Sequence, residues 1–128
     1  MQIAKNKLNP QIEKQIKNLL SQVIADLKNH HNVKIFLRDF LTPSEYLVLS
    51  KRLAIILYLE KNKSYKEIRR ALKVSSATIA SVQAMLEQQS EGFILALRCL
   101  KSEAWANEWA EKISKFFQDF STKKNVNS

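Results

Sequence analysis

The chain has a single glycine, Gly92, and only two prolines, Pro10 and Pro43, in 128 residues. Those are the residues that punctuate sheets and tight turns, and here both prolines stand where a helix would begin. The expected fold is all-α. In "NPQIEKQIKNLLSQVIADLKN", Asn9 can cap, Pro10 suits the first helical position, and Ile12, Ile16, Leu19, Leu20, Val23, Ile24 and Leu27 form one stripe, which predicts helix one over residues 10–29. "VKIFLRDFL" predicts a short second helix with Phe36, Leu37, Phe40 and Leu41 on its apolar face.

Two capping boxes follow. "TPSE", Thr42 to Glu45, joins a capping hydroxyl, a first-turn proline and a reciprocating glutamate, so helix three should start there and run to about Lys61. "SYKE", Ser64 to Glu67, starts a short helix four that should end near Leu72. In "KVSSATI", Ser75 or Ser76 can cap helix five, which continues to about Gln88. "FILALRCL" after Gly92 is helical, and a last amphipathic helix from Ser102 presents Trp105, Trp109, Ile113, Phe116, Phe117 and Phe120.

The length suits one domain with a modest core, here residues 1–121, with a disordered tail over 122–128. Within it, residues 9–61 would be dimerisation helices, 64–88 a helix-turn-helix, and 92–121 additional C-terminal helices. The aromatic stripe of the last helix fits core, dimer interface or partner recruitment better than a ligand cage.

Twenty-one lysines and arginines against twelve acids give a net charge of +9, which favours polyanions, nucleic acid ahead of anionic membrane surfaces. A solvated cationic surface without a specific partner is the bland alternative. The lone Cys99 rules out an internal disulfide and a cysteine-rich metal site, and the adjacent His30 and His31 read as caps at the end of helix one, not as ligands. Neither a metal nor a cofactor is expected. The N-terminus lacks the apolar core of a signal peptide, and the most apolar segment, "YLVLSKRLAIILYLE", is broken by Lys51 and Arg52, so a cytoplasmic protein without a membrane span is expected. No acid pair, nucleophile with base, or phosphate-cradling glycine loop points to an enzyme.

A helix-turn-helix needs a few apolar residues to lock its two helices at a fixed angle. Ile68, Leu72, Val74, Ile79 and Val82 have that spacing. They leave Ser76, Ala77, Thr78, Ala80, Ser81 and Gln83 facing outward, where a helix can enter the major groove of double-stranded DNA. Short hydroxyl and methyl groups approach bases closely but discriminate modestly. Affinity would come from the dense basic run of Lys61, Lys63, Lys66, Arg69, Arg70 and Lys73, through phosphate contacts. Two competing readings use the same residues: packed helices whose face happens to be basic, and RNA binding. A third is a helical interaction module with a degenerate reading head, whose aromatic C-terminal helix binds another protein.

Residues 40–83, "FLTPSEYLVLSKRLAIILYLEKNKSYKEIRRALKVSSATIASVQ", resemble the core of the Trp repressor superfamily, and more closely its YerC/YecD-type relatives. "LTPSE", "SKRLAI" and "SYKEI...ATI" carry the likeness together. Arg69 stands where most helix-turn-helix proteins have a small residue and where this family tolerates a lysine. The resemblance implies a repressor-like, sequence-specific transcriptional regulator, an all-helical homodimer whose interlocked N-terminal helices present two reading heads to a palindromic operator. The wide apolar faces of helices one to three point independently to dimerisation.

The resemblance also implies where a corepressor would sit, between two arginines. Arg52 matches the first arginine and Thr42 a pocket-lining position, but Ser81 occupies the place of the second arginine and Met85 that of a serine near the ligand's amino group. Lys73 replaces the family's turn glycine. The pocket is thus vestigial, and L-tryptophan is not expected to be the effector.

Overall fold

The computed structural model of the chain describes residues 7–102 together with 108, 111, 112 and 115. Among the described residues there are six helices and no strand: α1 (Pro10–Leu27), α2 (His30–Phe40), α3 (Pro43–Glu60), α4 (Tyr65–Leu72), α5 (Ser76–Glu87) and α6 (Glu91–Lys101). The fold is all-α, as the glycine- and proline-poor composition predicts.

Local chemistry sets most of the boundaries. Asn9 Oδ1 accepts the Gln11 amide at 2.9 Å, with Pro10 at the first helical position. At α3 the box closes in both directions: the Thr42 amide donates to Glu45 Oε1 at 2.9 Å, and the Glu45 amide donates to Thr42 Oγ1 at 3.1 Å. At α4, Ser64 and Glu67 exchange the same pair of bonds at 2.8 and 3.2 Å. Of the two serines that could start α5, Ser75 does so, its hydroxyl accepting the Thr78 amide at 3.1 Å.

Two boundaries differ from the expectation. Helix one stops at Leu27, short of Asn29, because Asn29 is already committed to the next helix: its side chain accepts the Asn32 amide at 2.9 Å. His30 and His31, expected to cap the end of helix one, therefore open α2 at its amino end. Likewise Ser90 is the N-cap of α6, so Gly92 lies within that helix rather than before it. The expected Trp- and Phe-rich helix, with Trp105, Trp109, Ile113, Phe116, Phe117 and Phe120, lies outside the described residues, as does the tail 122–128.

The chain divides into two compact units, Met1–Ser50 and Lys51–Ser128. In the first, no described residue is buried. The α1–α2 junction is fastened by Asn32 Nδ2 donating to the Leu27 carbonyl at 3.3 Å, and Phe36 stacks on Phe40 with ring centroids 5.0 Å apart. The apolar stripe of α1 faces solvent, Leu19 at 63 % exposure, and so does Phe40 at 60 %.

The second unit holds the core. Ile55, Ile56 and Leu57 of α3, Ile68 of α4, Ile79 and Val82 of α5 and Leu100 of α6 are buried together, with Tyr58, Leu59, Leu72, Val74, Leu86, Phe93 and Leu97 packed against them. At the rim, Lys101 Nζ lies 3.3 Å from Glu60 of α3. That pair is largely exposed and contributes little, about 0–1 kcal/mol; burial of the apolar side chains holds the unit together.

Candidate nucleic-acid interface

The functional candidates concentrate on α4, α5 and the three residues between them, Lys73–Ser75. The residues expected to lock this pair do so. Ile68 and Ile79 are fully buried and Val82 nearly so, while Leu72 and Val74 pack at the edge of the same cluster. The tight reversal requires the left-handed conformation at Lys73, φ 54° and ψ 53°, where its amide donates to the Arg69 carbonyl at 2.9 Å. A side chain with a Cβ takes that conformation at a cost of roughly 1 kcal/mol. Lys51 helps hold the turn, its Nζ donating to the Lys73 carbonyl at 3.4 Å.

A second tie crosses the pair, since the Tyr65 hydroxyl of α4 donates to Gln83 Oε1 of α5. Gln83, expected to face outward with the reading residues, is instead half-buried and engaged. Its place on the helix explains this: one turn beyond the buried Ile79, it lies at the margin of the packed face. Thr78 is exposed, but its hydroxyl lies 2.9 Å from the capping Ser75 hydroxyl. Ser76, Ala77, Ala80 and Ser81 are exposed as expected.

Of the cations, Lys66, Arg69 and Lys73 are exposed, whereas Lys63 and Arg70 are half-buried. Among the described residues, no salt bridge engages Lys66, Arg69, Arg70 or Lys73. The one acid between residues 61 and 73, Glu67, accepts the Ser64 amide in the capping box. The result is a concentration of positive charge on α4 and the turn that joins it to α5, suited to a polyanion.

Sequence reasoning missed Lys51, Tyr65 and the engagement of Gln83. Each partner pair is 18 or 22 residues apart, so nothing in a helical period marks it. Among the described residues, no group of three or more His, Cys, Asp or Glu is placed to hold a metal ion, and no helix is long and apolar enough to cross a membrane.

The model of the Trp repressor protein family matches residues 14–101. The chain belongs to the Trp repressor family. The match runs from within α1 to the last residue of α6, so α2–α6 lie wholly within the matched residues. Trp repressor proteins are DNA-binding transcription regulators and not enzymes. No curated protein and no solved structure matches the chain.

The positions that the Trp repressor resemblance ties to a ligand are occupied as follows. The Thr42 hydroxyl is taken up in capping α3, Arg52 is exposed, Ser81 is exposed, and Met85 is half-buried. Within the first unit an open groove of about 340 Å³ is lined by Leu41, Ser44, Glu45, Val48 and Leu49.

Proposed function

We propose that this Trp repressor family protein is a homodimeric, sequence-specific regulator in which α4, the turn and α5 form a helix-turn-helix that reads duplex DNA. The observation that carries the reading is the packed α4–α5 pair itself: Ile68, Ile79 and Val82 are buried in one core, and four cations on α4 and at the turn, Lys66, Arg69, Arg70 and Lys73, have no acidic partner among the described residues. In this division of labour the cations, with Lys63, supply phosphate contacts and affinity, while Ser76, Ala77, Thr78, Ala80 and Ser81 meet the bases.

Dimerisation runs through α1–α3. A stripe of isoleucine, leucine and valine along α1 is uncovered in the single chain, and the apolar Leu47, Val48, Leu49 and Leu53 of α3 are exposed as well. A helix apolar on most sides is ordinarily buried, and a second copy supplies the missing cover.

Free L-tryptophan does not switch this protein. Arg52 alone offers one guanidinium face, a contact worth about 1 kcal/mol when partly exposed. Ser81 is too short to close over the ring, and Met85 offers no hydrogen bond to an ammonium, a loss of several kcal/mol in a closed site.

The test is binding to duplex DNA across a salt series, with wild type and Lys66→Ala compared. Log affinity should fall linearly with log salt, and Lys66→Ala should weaken all sequences alike while reducing the slope by about one. Salt-independent binding, or none, refutes the reading.

A further inference from the structure

We infer that base recognition by α5 runs through methyl groups, so that the preferred DNA carries thymines whose C5-methyl groups in the major groove meet Ala77, Ala80 and Ala84. The inference rests on the DNA-reading role proposed for α4–α5 and adds to it the chemistry that would be read.

The major groove distinguishes bases by hydrogen-bond donors and acceptors and by the thymine methyl. Strong polar discrimination needs a side chain that can form two bonds to one base, and arginine, lysine, asparagine and glutamine are the usual ones. α5, Ser76–Glu87, contains a single residue of that set, Gln83. Its carbonyl oxygen accepts the Tyr65 hydroxyl, and the side chain is half-buried against α4. That oxygen is one of the two groups a glutamine needs for a bidentate bond to adenine, so the tie withdraws Gln83 from readout. The Thr78 hydroxyl is engaged as well, lying 2.9 Å from Ser75 Oγ, which also accepts the Thr78 amide, so the polar part of Thr78 adds little to readout.

What is left on the side of α5 away from the core follows from the helical period. Ile79 and Val82 point into the core, and the exposed residues at three- and four-residue spacing opposite them are Ala77, Ala80, Ser81 and Ala84. Three of these end in a methyl group. Ser76 and Ser81 carry hydroxyls, which donate to or accept from many bases and so select weakly. The long cationic side chains lie on α4 and at the turn, beside this face rather than on it, where they meet phosphates. Small side chains also let the helix backbone come close to the groove floor, the approach that methyl–methyl contact requires.

The experiment begins by selecting the tightest duplexes from a random library with the full chain. In the selected duplex each thymine is then replaced singly by deoxyuridine, which removes only the C5-methyl group, and each guanine by 7-deazaguanine, which removes the N7 acceptor. At two or more thymines per half-site, deoxyuridine should weaken binding about fourfold, the worth of one buried methyl-sized group. At those positions 5-methylcytosine should bind better than cytosine, because it restores the methyl group. Ala80→Gly should reduce the penalty at one of these thymines while leaving the salt slope unchanged. The deoxyuridine series uses wild-type protein and so decides the matter even if that variant folds poorly. Selective binding that deoxyuridine leaves within about 1.5-fold of the thymine duplex, but 7-deazaguanine weakens, overturns methyl readout and leaves the DNA-binding role intact. Recovery of no preferred duplex despite salt-dependent binding also overturns it. Absence of any DNA binding removes the underlying reading and this inference with it.

Discussion

The two units of this chain solve the same problem in opposite ways. Both are built from short stretches of helix, yet residues 51–102 gather seven buried apolar side chains into a core, whereas residues 7–50 bury none. Part of the difference lies in how the apolar residues are spread. The α1 stripe of Ile12, Ile16, Leu19, Leu20, Val23 and Ile24 runs along one side of an otherwise polar helix, whereas residues 53–59 of α3 are apolar without a break. The rest lies in what each segment can pack against: both units turn at residues of positive φ, Lys28 in the first and Asn62, Lys73 and Gln89 in the second, but only α4, α5 and α6 have the apolar end of α3 to bury their side chains with. α1 is an 18-residue helix followed by a single 11-residue one, and its apolar stripe stays exposed. A segment of that kind gains most from a second copy of itself, which is the basis for the proposal that α1–α3 serve dimerisation while α4 and α5 contact DNA.

The largest effect that could break this contrast is a charge placed on the α1 stripe. Ile16→Glu combined with Leu19→Glu should weaken self-association at least a hundredfold, since each change exposes a charge to an apolar interface. The near-ultraviolet signature and Ile68 methyl resonances of the second unit should stay folded. Collapse of both units together would show that they are not separable in this way.

Next in size is Ile68→Ala, at a fully buried position of α4. Loss of its side chain should cost about 2–5 kcal/mol in urea unfolding of the second unit, through lost transfer energy and the cavity left behind. A cost under 1 kcal/mol would mean that Ile68 is not the lock of the α4–α5 pair.

A smaller and opposite effect is expected at the turn. Lys73→Gly relieves the left-handed conformation and should stabilise the second unit by about 1 kcal/mol, measured by thermal unfolding. The same change should weaken DNA binding and lower its salt slope by about one. Loss of stability instead would indicate that the Lys73 side chain contributes more to the turn than its backbone costs.

The smallest effect concerns the first unit's cap. The Thr42 amide, and after it the Thr42 side chain, hold the Glu45 carboxyl below the usual carboxylate range. Because the folded value is depressed, the cap's contribution is complete above the ordinary glutamate range and is lost as pH falls through the folded value. The Thr42 amide resonance should follow that titration with a midpoint below the ordinary range, and Glu45→Gln should flatten it.

Several of these positions also mark what is legible in the sequence. Both capping boxes were legible because a hydroxyl and a glutamate three residues apart act within one turn of helix, with no help from the rest of the fold. Ile68, Ile79 and Val82 were legible because burial follows the helical period. The end of α1 was misplaced, since Asn29 can extend one helix or cap the next, and only the bond to the Asn32 amide decides between them. The Tyr65–Gln83 tie and the Lys51 bond to Lys73 were out of reach for another reason: they depend on the crossing of helices, which no local pattern encodes. Thr42 and Arg52, singled out as a vestigial pocket, belong to helix α3 in roles a sequence leaves open, the first as a cap and the second exposed.

Sedimentation equilibrium of the full chain at micromolar concentration, alone and with a selected duplex, tests the division of labour most directly. The predicted result is a mass of two chains, about twice 14.8 kDa, that adds as one unit to a single duplex. A chain that stays at 14.8 kDa across the concentration range and binds duplex DNA one chain at a time would contradict it.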